Sequence, residues 1–413
     1  MMIIAAVAIA AALVIAGGAY LLMNQGEGKR DTSVSVLAMV NAEGSGIFCR
    51  YQIATDNGGG TIFAAGSDGS PLSVPALAHP SNSSIGPGSG WGGLCFMTPG
   101  AGSIQHEMLK TLAIDLGLTF ASGTGTDTDK LYWTAVPPGQ MGDYYMNTAN
   151  IDGGITWEPW YSSLLERFGS GVKRAYSIAT SSDIEPGHPC CMIVGNNAFV
   201  NANDELTLRF LLAYIESVEW VQAARTAGMS SAAGAKLIEF ARATAFAPGN
   251  TTSDATIWSA LQITNFDYDI SALKAYVAGL VVRFEGSGAI TEHVTYPALF
   301  ANTLINEGPL SNAVSFHDTR NTFKNPNSAV GTVRLGMLGN DLHQIAIRVA
   351  MIRDAAGPSG SADKTLFDIY GVNIDLKAFQ PNGPGVMNLF AANEIDIGVL
   401  GLPPTVIRVA NGL

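Results

Sequence analysis

The spacing of apolar positions changes repeatedly along this chain, and each change marks an element. From Met2 to Met23 almost every residue is apolar and none is charged. Val34–Val40 is a short apolar stretch that reads as a strand. Leu94–Met97 is another, and Thr98-Pro-Gly turns from it into a helix with Leu109, Leu112 and Leu116 at core spacing. Leu131–Val136 reads as a strand, Pro137-Pro-Gly starts the turn to a helix over Gln140–Thr148, and Ile151–Trp157 is again a strand. Strands alternating with single helices predict an α/β protein with a mostly parallel sheet and helical crossovers.

A stronger helix is predicted over Asp204–Ala224, with Asn203 placed to cap it and Leu206, Phe210, Leu211, Tyr214, Val218 and Val221 forming one stripe. Further helices are predicted at Ala232–Thr244, Asp254–Ile263, Ile270–Glu285 and Tyr296–Ile305. Ser311–Ala329 is polar and reads as a linker. Beyond it come a strand from Val333, a helix, and a second strand over Asn373–Phe379. Gly58–Gly93 is rich in Gly, Ser and Pro and reads as a long surface loop, with an edge strand at Thr61–Ala65. No tandem repeat is visible.

Bulk composition sharpens this picture at three points. Apolar residues make up 47% of the 413 and charged ones 14%, which suits a compact α/β protein and argues against a disordered chain. The net charge of −12 and the lack of any Lys/Arg run argue against nucleic-acid binding. About 20 apolar residues suffice to cross a bilayer, so the run ending at Met23 predicts a signal anchor, with the rest of the chain outside the cytoplasm. Lys29 and Arg30 lie after the run, a weak indication of the opposite orientation. The four cysteines are Cys49, Cys95, Cys190 and Cys191, and they contain no C-x-x-C. Adjacent cysteines seldom chelate one zinc ion, so all four read as buried thiols or as one stabilising bridge.

The last 80-odd residues resemble the beginning of a unit whose remainder comes first. Val333–Ala346 and Glu394–Thr405, with Gly398-Val-Leu-Gly-Leu-Pro-Pro404, resemble the first lobe of the nitrate/sulfonate/bicarbonate/taurine type of ABC-transporter solute-binding proteins. The next element of that family, a strand followed by Glu-Gly-Ser, is matched by Ser33–Ser45 at the other end of the chain. Pro99-Gly-Ala-Gly-Ser-Ile-Gln-His106 and Ile151-Asp with Trp157-Glu-Pro159 continue the same cyclic order. The resemblance implies a two-lobed periplasmic-binding-protein fold of type 2, circularly permuted. It divides the chain into an anchor and spacer (1–30), part of lobe 1 with the long loop (31–93), lobe 2 (94–225), a helical part packing on the lobes (226–310), a linker joining the original termini (311–330), and the first half of lobe 1 (331–413). A linker of this length spans up to about 60 Å when extended, and closure entropy grows only with the logarithm of length.

In that family the ligand lies between the lobes at the carboxyl ends of the strands, where helix N-termini offer backbone N–H groups to an anion. The implied ligand-binding residues are Gly44 and Ser45 after the first strand, Gly102 and Ser103 at a strand-to-helix turn, and Gly401 and Leu402 beside the proline pair. His343 is expected at the cleft rim, Trp157 as an apolar face, and Glu158 as a contact for a cationic group. Ser103 has an alternative role as an ordinary helix cap. The expected partners are a small anion or zwitterion and the permease and ATPase subunits of an ABC importer, with the membrane reached through the N-terminal helix. No cofactor, metal or catalytic residue is expected. A sensor without a permease, or an enzyme forming the thiamin pyrimidine or depending on a metal, is the alternative. The sequence has no P-loop, no His-Glu-x-x-His and no G-x-S-x-G, and His188-Pro-Cys-Cys191 departs from the cysteine-rich motif of the pyrimidine-forming relatives.

Overall fold

Short apolar strands assemble into two six-stranded sheets in a computed structural model that describes residues 33–51, 61–65, 71–75, 90–170, 174–246 and 249–413. The first sheet contains β1 (Val34–Glu43), β10 (Pro189–Asn196), β11 (Thr264–Phe266), β12 (Gly331–Met337), β13 (Val372–Leu376) and β14 (Ile397–Gly401), in the order β11-β1-β10-β14-β12-β13. β12 is parallel to β13 and β14, whereas β10 is antiparallel to β14 and β1. The second sheet contains β2 (Ser45–Cys49), β5 (Cys95–Thr98), β6 (Thr119–Ser122), β7 (Lys130–Ala135), β8 (Gly153–Trp157) and β9 (Tyr176–Thr180), in the order β6-β7-β5-β8-β2-β9. Its first four strands are parallel, and β2 is antiparallel to both neighbours. Among the described residues β3 (Thr61–Ala65) pairs only with β4 (Pro71–Pro75). The α/β class expected from the alternation is the observed one. The N-terminal apolar run and most of the glycine-rich loop lie outside the described residues, among which no helix is long and apolar enough to cross a membrane.

Val333–Met337 and Val34–Val40 share one sheet, as the resemblance implies. Three expectations need correction. The boundary of the second lobe at 225 lies too late: the chain leaves the first sheet at Gly44 and returns between Thr180 and Pro189, so β10 and the helix Asp204–Ala227 belong with the first sheet. Tyr214 of that helix donates a hydrogen bond to the Met39 carbonyl of β1 at 2.8 Å. Residues 311–330 are not an open linker. A helix runs to Ser315 and a 3₁₀ segment to Phe323, and Arg320 and Lys324 pair with Glu216 and Glu219 of the long helix. Asn203 occupies the cap position of that helix, but its side chain donates to the Phe199 carbonyl instead of accepting from the first turn. All six residues of the predicted stripe are buried.

Each sheet uses the same device at the entry of its parallel strands. Asp396, just before β14, accepts from the backbone N of Arg334 in β12 at 2.9 Å and pairs with its guanidinium at 2.6 Å. Asp152, just before β8, accepts from the backbone N of Cys95 in β5 at 2.7 Å and pairs with Arg50. Both carboxylates satisfy a backbone amide of the neighbouring strand and are themselves held by an arginine, which is how a buried charge is tolerated.

Gly44 is the single residue between β1 and β2, with φ of +86°. A Cβ there would sit 2.4 Å from His343 Nε2 and 2.8 Å from Thr264 Oγ1. Gly117 has a similar φ of +74° with nothing near its missing Cβ. Gly44→Ala is therefore expected to cost about 2–5 kcal/mol in urea unfolding, the sum of backbone strain and overpacking. Gly117→Ala should cost only the strain, about 1 kcal/mol; equal costs would show that the contact with His343 is not felt.

His106, in the first turn of the helix Ile104–Asp115, packs against Trp133 and Phe120 and shares a hydrogen bond with Thr98 Oγ1 at 3.1 Å. Burial, helped by Lys110, holds its imidazole down at about 4, against an ordinary 6.5. Above pH 6.5 the ring is neutral folded or unfolded. As pH falls from 6.5 towards 4, only the unfolded chain takes up the proton, so stability is lost, by roughly 3 kcal/mol in all. The difference in urea-unfolding free energy between wild type and His106→Gln should carry that slope between pH 6.5 and 4 and be flat above it.

Candidate functional site

The carboxyl ends of the parallel strands of both sheets face one cleft of about 370 Å³. β5 delivers Pro99–Gln105, β7 leads to Pro137 and Pro138, and β8 ends at Trp157. From the other side β12 leads to Leu338, Asp341 and His343, β14 ends at Gly401, and the start of β10 contributes Cys190 and Cys191. Four helices begin at the cleft wall: Ile104–Asp115, Pro138–Asn147, Gly383–Ala391 and Leu402–Ala410. Their amino ends place partial positive charge around the space. Proline occupies early positions in three of them and removes some of the N–H donors.

Of the nine residues the sequence suggests, five line the cleft: Gly102, Ser103, Trp157, His343 and Gly401. Ser103 is also a helix cap, its Oγ accepting from His106 N at 3.2 Å and donating to the Gly100 carbonyl at 2.8 Å. Trp157 lies in the wall, and its indole Nε1–H is buried with no hydrogen-bond partner among the described residues. The other four stand behind the wall. Ser45 is fully buried, its Oγ accepting from Gln105 Nε2 at 3.0 Å, so Gln105 occupies the place expected of the serine. Glu158 is fully buried too, and its carboxylate accepts from Ser162 Oγ at 2.6 Å and Ser162 N at 3.1 Å, so it holds a helix start and not a cationic ligand. Burial pushes that carboxyl up to about 7 against the pull of the two Ser162 bonds. Gly44 contributes through its carbonyl, which accepts from Glu158 N at 3.0 Å and lies 2.8 Å from His343 Nε2. Leu402 is buried in the first turn after Gly401.

His343 stands at the centre of a polar cluster that the sequence reading did not assemble. Its Nδ1 is 3.4 Å from Cys190 Sγ and 4.0 Å from Cys191 Sγ. Asp341 caps the 3₁₀ turn that carries the ring, Oδ1 accepting from His343 N at 3.0 Å and Oδ2 from Gln344 Nε2 at 3.1 Å. Burial opposes a charge on His343, but Cys190 and Asp341 outweigh it and hold the imidazolium up to about 10. The Cys191 thiol and the His343 charge pull Cys190 well below the ordinary thiol range, while the neighbouring Cys190 sulfur and burial push Cys191 well above it. Burial lifts Asp341 to about 6. His188, part of the motif the sequence singles out, points elsewhere, its Nδ1 on the Glu185 carbonyl at 2.9 Å. All four cysteines are buried and none is in a disulfide.

A strand pleat normally sends adjacent side chains to opposite faces. The Cys190–Cys191 pair escapes this because Asn41 of β1 pairs with Cys191 and Ala42 with Pro189, leaving Cys190 as the extra residue of a bulge. The sequence holds the signal for the pair itself, two cysteines after a proline, but not for the bulge. Asn382, which caps the helix from Gly383 beside the cleft, was legible as an Asn-Gly-Pro start and was missed.

Residues 4–235, more than half of the chain, match the NMT1-like family. No curated protein matches the chain. Among solved structures, the ligand-binding component of an ABC-type import system from Staphylococcus aureus, solved with zinc bound, is similar at 12% identity over 69% of this chain and 76% of that one, with a TM-score of 0.39. A likeness that loose carries no argument about ligand or mechanism. The family match, resting on a stretch that holds β1, the whole second sheet and β10, places this chain in the NMT1-like family, the nitrate/sulfonate/bicarbonate type of ABC-transporter solute-binding proteins.

Proposed function

We propose that this protein is the extracytoplasmic receptor of an ABC importer, tethered to the cell membrane by its N-terminal apolar run. It captures a small anion or zwitterion (nitrate, bicarbonate, taurine or another sulfonate) and presents it to permease and ATPase subunits. The observation that carries this reading is the convergence of four helix amino ends on one cleft, with Trp157, whose buried indole N–H has no partner among the described residues, in its wall. Backbone amides and a neutral donor recognise a fixed negative charge without needing a cationic side chain, and the cleft volume suits a small molecule. The two chain passages, at Gly44 and at 181–188, leave the sheets joined by short segments, the arrangement from which ligand-driven closure proceeds.

The reading includes a rotated gene order. β12, β13 and β14 come last in the chain yet share a sheet with β1, which comes first, so 331–413 supplies what the opening strand needs. A chain rearranged to begin at residue 331, with residue 413 joined to residue 33 and ending at residue 330, should fold with a Tm and a ligand response close to those of the native order. Failure of the rearranged chain to fold would remove the permutation and leave the receptor reading standing.

The receptor reading is tested by a thermal-shift screen of the purified chain against nitrate, bicarbonate, taurine and alkanesulfonates. A true solute at 100 times its dissociation constant should stabilise the fold by about 2.7 kcal/mol. Trp157→Phe keeps the apolar face and removes the N–H. It should weaken binding by roughly tenfold or more, as expected for a lost hydrogen bond to a charged group, and leave the unliganded Tm nearly unchanged. No shift with any anion, or an unaltered shift in the Trp157 variant, would refute the assignment of the cleft.

A further inference from the structure

We infer that Cys190, Cys191 and His343 form a binding site for one thiophilic d¹⁰ cation, Zn²⁺ or Cu⁺, in the wall of the cleft. The inference goes beyond the capture of an anion and stands whether or not any such solute is found. Among the described residues these three are the one group of His, Cys, Asp or Glu side chains found with donor atoms converging as a metal requires, all within 4.8 Å of one another. A tetrahedral ion with bonds of about 2.3 Å to sulfur and about 2.0 Å to nitrogen holds those donors roughly 3.6 Å apart. The two sulfur-to-Nδ1 separations, 3.4 and 4.0 Å, bracket that value. Both sulfurs therefore already stand near coordination spacing from the nitrogen.

Three features of the surroundings favour a cation over a simple thiol–imidazole contact. First, the bulge at Cys190 turns both neighbouring side chains to one side, which an unbroken pleat forbids. Second, His343 Nε2 lies 2.8 Å from the Gly44 carbonyl, which can only accept, so the Nε2 proton stays there and the metal displaces the proton on Nδ1, the nitrogen that faces the two sulfurs. Third, the ring cannot swing away: Asp341 and Gln344 fix its turn, and Gly44 has no side chain because a Cβ would meet His343 Nε2. Two sulfurs and one imidazole select soft or borderline ions and reject Mg²⁺ and Ca²⁺, which take oxygen. All three residues line the cleft, so the remaining coordination position opens onto it. A metal held there has room for one donor atom of a molecule in the cleft, the arrangement of a three-ligand open site and not of a closed structural one.

The test uses the purified full-length chain, reduced and stripped of metal with a chelator. It is titrated with Zn²⁺ against a chromophoric zinc chelator, and separately with Cu⁺ against a copper(I) chelator, to decide between the two ions. Co²⁺ serves as a spectroscopic probe. One equivalent of Zn²⁺ or Cu⁺ should bind with a rise in Tm, and Co²⁺ should show a thiolate-to-metal charge-transfer band with a tetrahedral d–d spectrum. Cys190→Ser, Cys191→Ser and His343→Gln should each weaken binding at least tenfold, whereas Cys49→Ser and Cys95→Ser should not. The cobalt spectrum of the wild-type chain decides the matter even if a site variant fails to fold. Absence of stoichiometric uptake by the reduced wild type, a cobalt spectrum lacking the thiolate band, or undiminished binding in the Cys190→Ser/Cys191→Ser double variant would each overturn the site.

Discussion

The carbonyl of Gly44 accepts from Glu158 N and faces Nε2 of His343. One comes from the end of β8 in the second sheet and the other from the turn after β12 in the first. A carbonyl oxygen has two lone pairs, and this one joins two sheets and the side chain at the heart of the cleft. The chain crosses between sheets at that residue, and a positive φ with no room for a Cβ means that glycine alone satisfies the position. Leu342 N donates to the Glu158 carbonyl at 3.3 Å, and Ser45 N to Ser181 Oγ at 3.1 Å, so the two passages and the turn carrying His343 are tied together. Motion of one sheet against the other must preserve these bonds or exchange them for others, because buried backbone groups are not left unpaired without a penalty.

Around this junction the electrostatics separate into two kinds of charge. The aspartates at strand starts, Asp152 and Asp396, are each held by an arginine and an amide, and they stiffen the sheets at the ends away from the cleft. The carboxyl groups nearer the cleft behave differently: burial lifts both Asp341 and Glu158 out of the ordinary carboxylate range. Their first partners are backbone and serine groups, not arginines. A protein with a net charge of −12 thus lines its cleft mainly with glycine, proline and helix amino ends, with Asp341 the one carboxylate in the wall among the described residues. The anion reading and the cation site do not conflict, since a thiolate-bound metal with an open position is itself an anion receptor.

Much of this was legible because its causes are local. Apolar runs bounded by Gly and Pro marked β1, β5, β7, β8 and β12. Spacing of three and four marked the helices, with Asp254–Ile263 found at its observed bounds. The failures are where causes are distant. β6 has no fully buried residue and β11 is only three residues long, so neither has an apolar signature. Residues 311–330 look like a solvated linker until Glu216 and Glu219, about 100 residues earlier, arrive to pair with Arg320 and Lys324. Ser45 sits in a family motif, but its hydroxyl is taken by Gln105, whose reach into the cleft no spacing reveals.

By itself the amino-acid sequence determined element type, element order and the α/β class, because strand, helix and turn preferences act over a few residues. It also raised the expectation that the tail and the opening strand belong together, and the two share a sheet. Tertiary structure alone decided which side chains share the cleft. Cys190 and His343 are 153 positions apart, and β10 pairs with β1 in a register that leaves Cys190 over, on the same side as Cys191. Register is a property of two strands, so neither strand's sequence contains it.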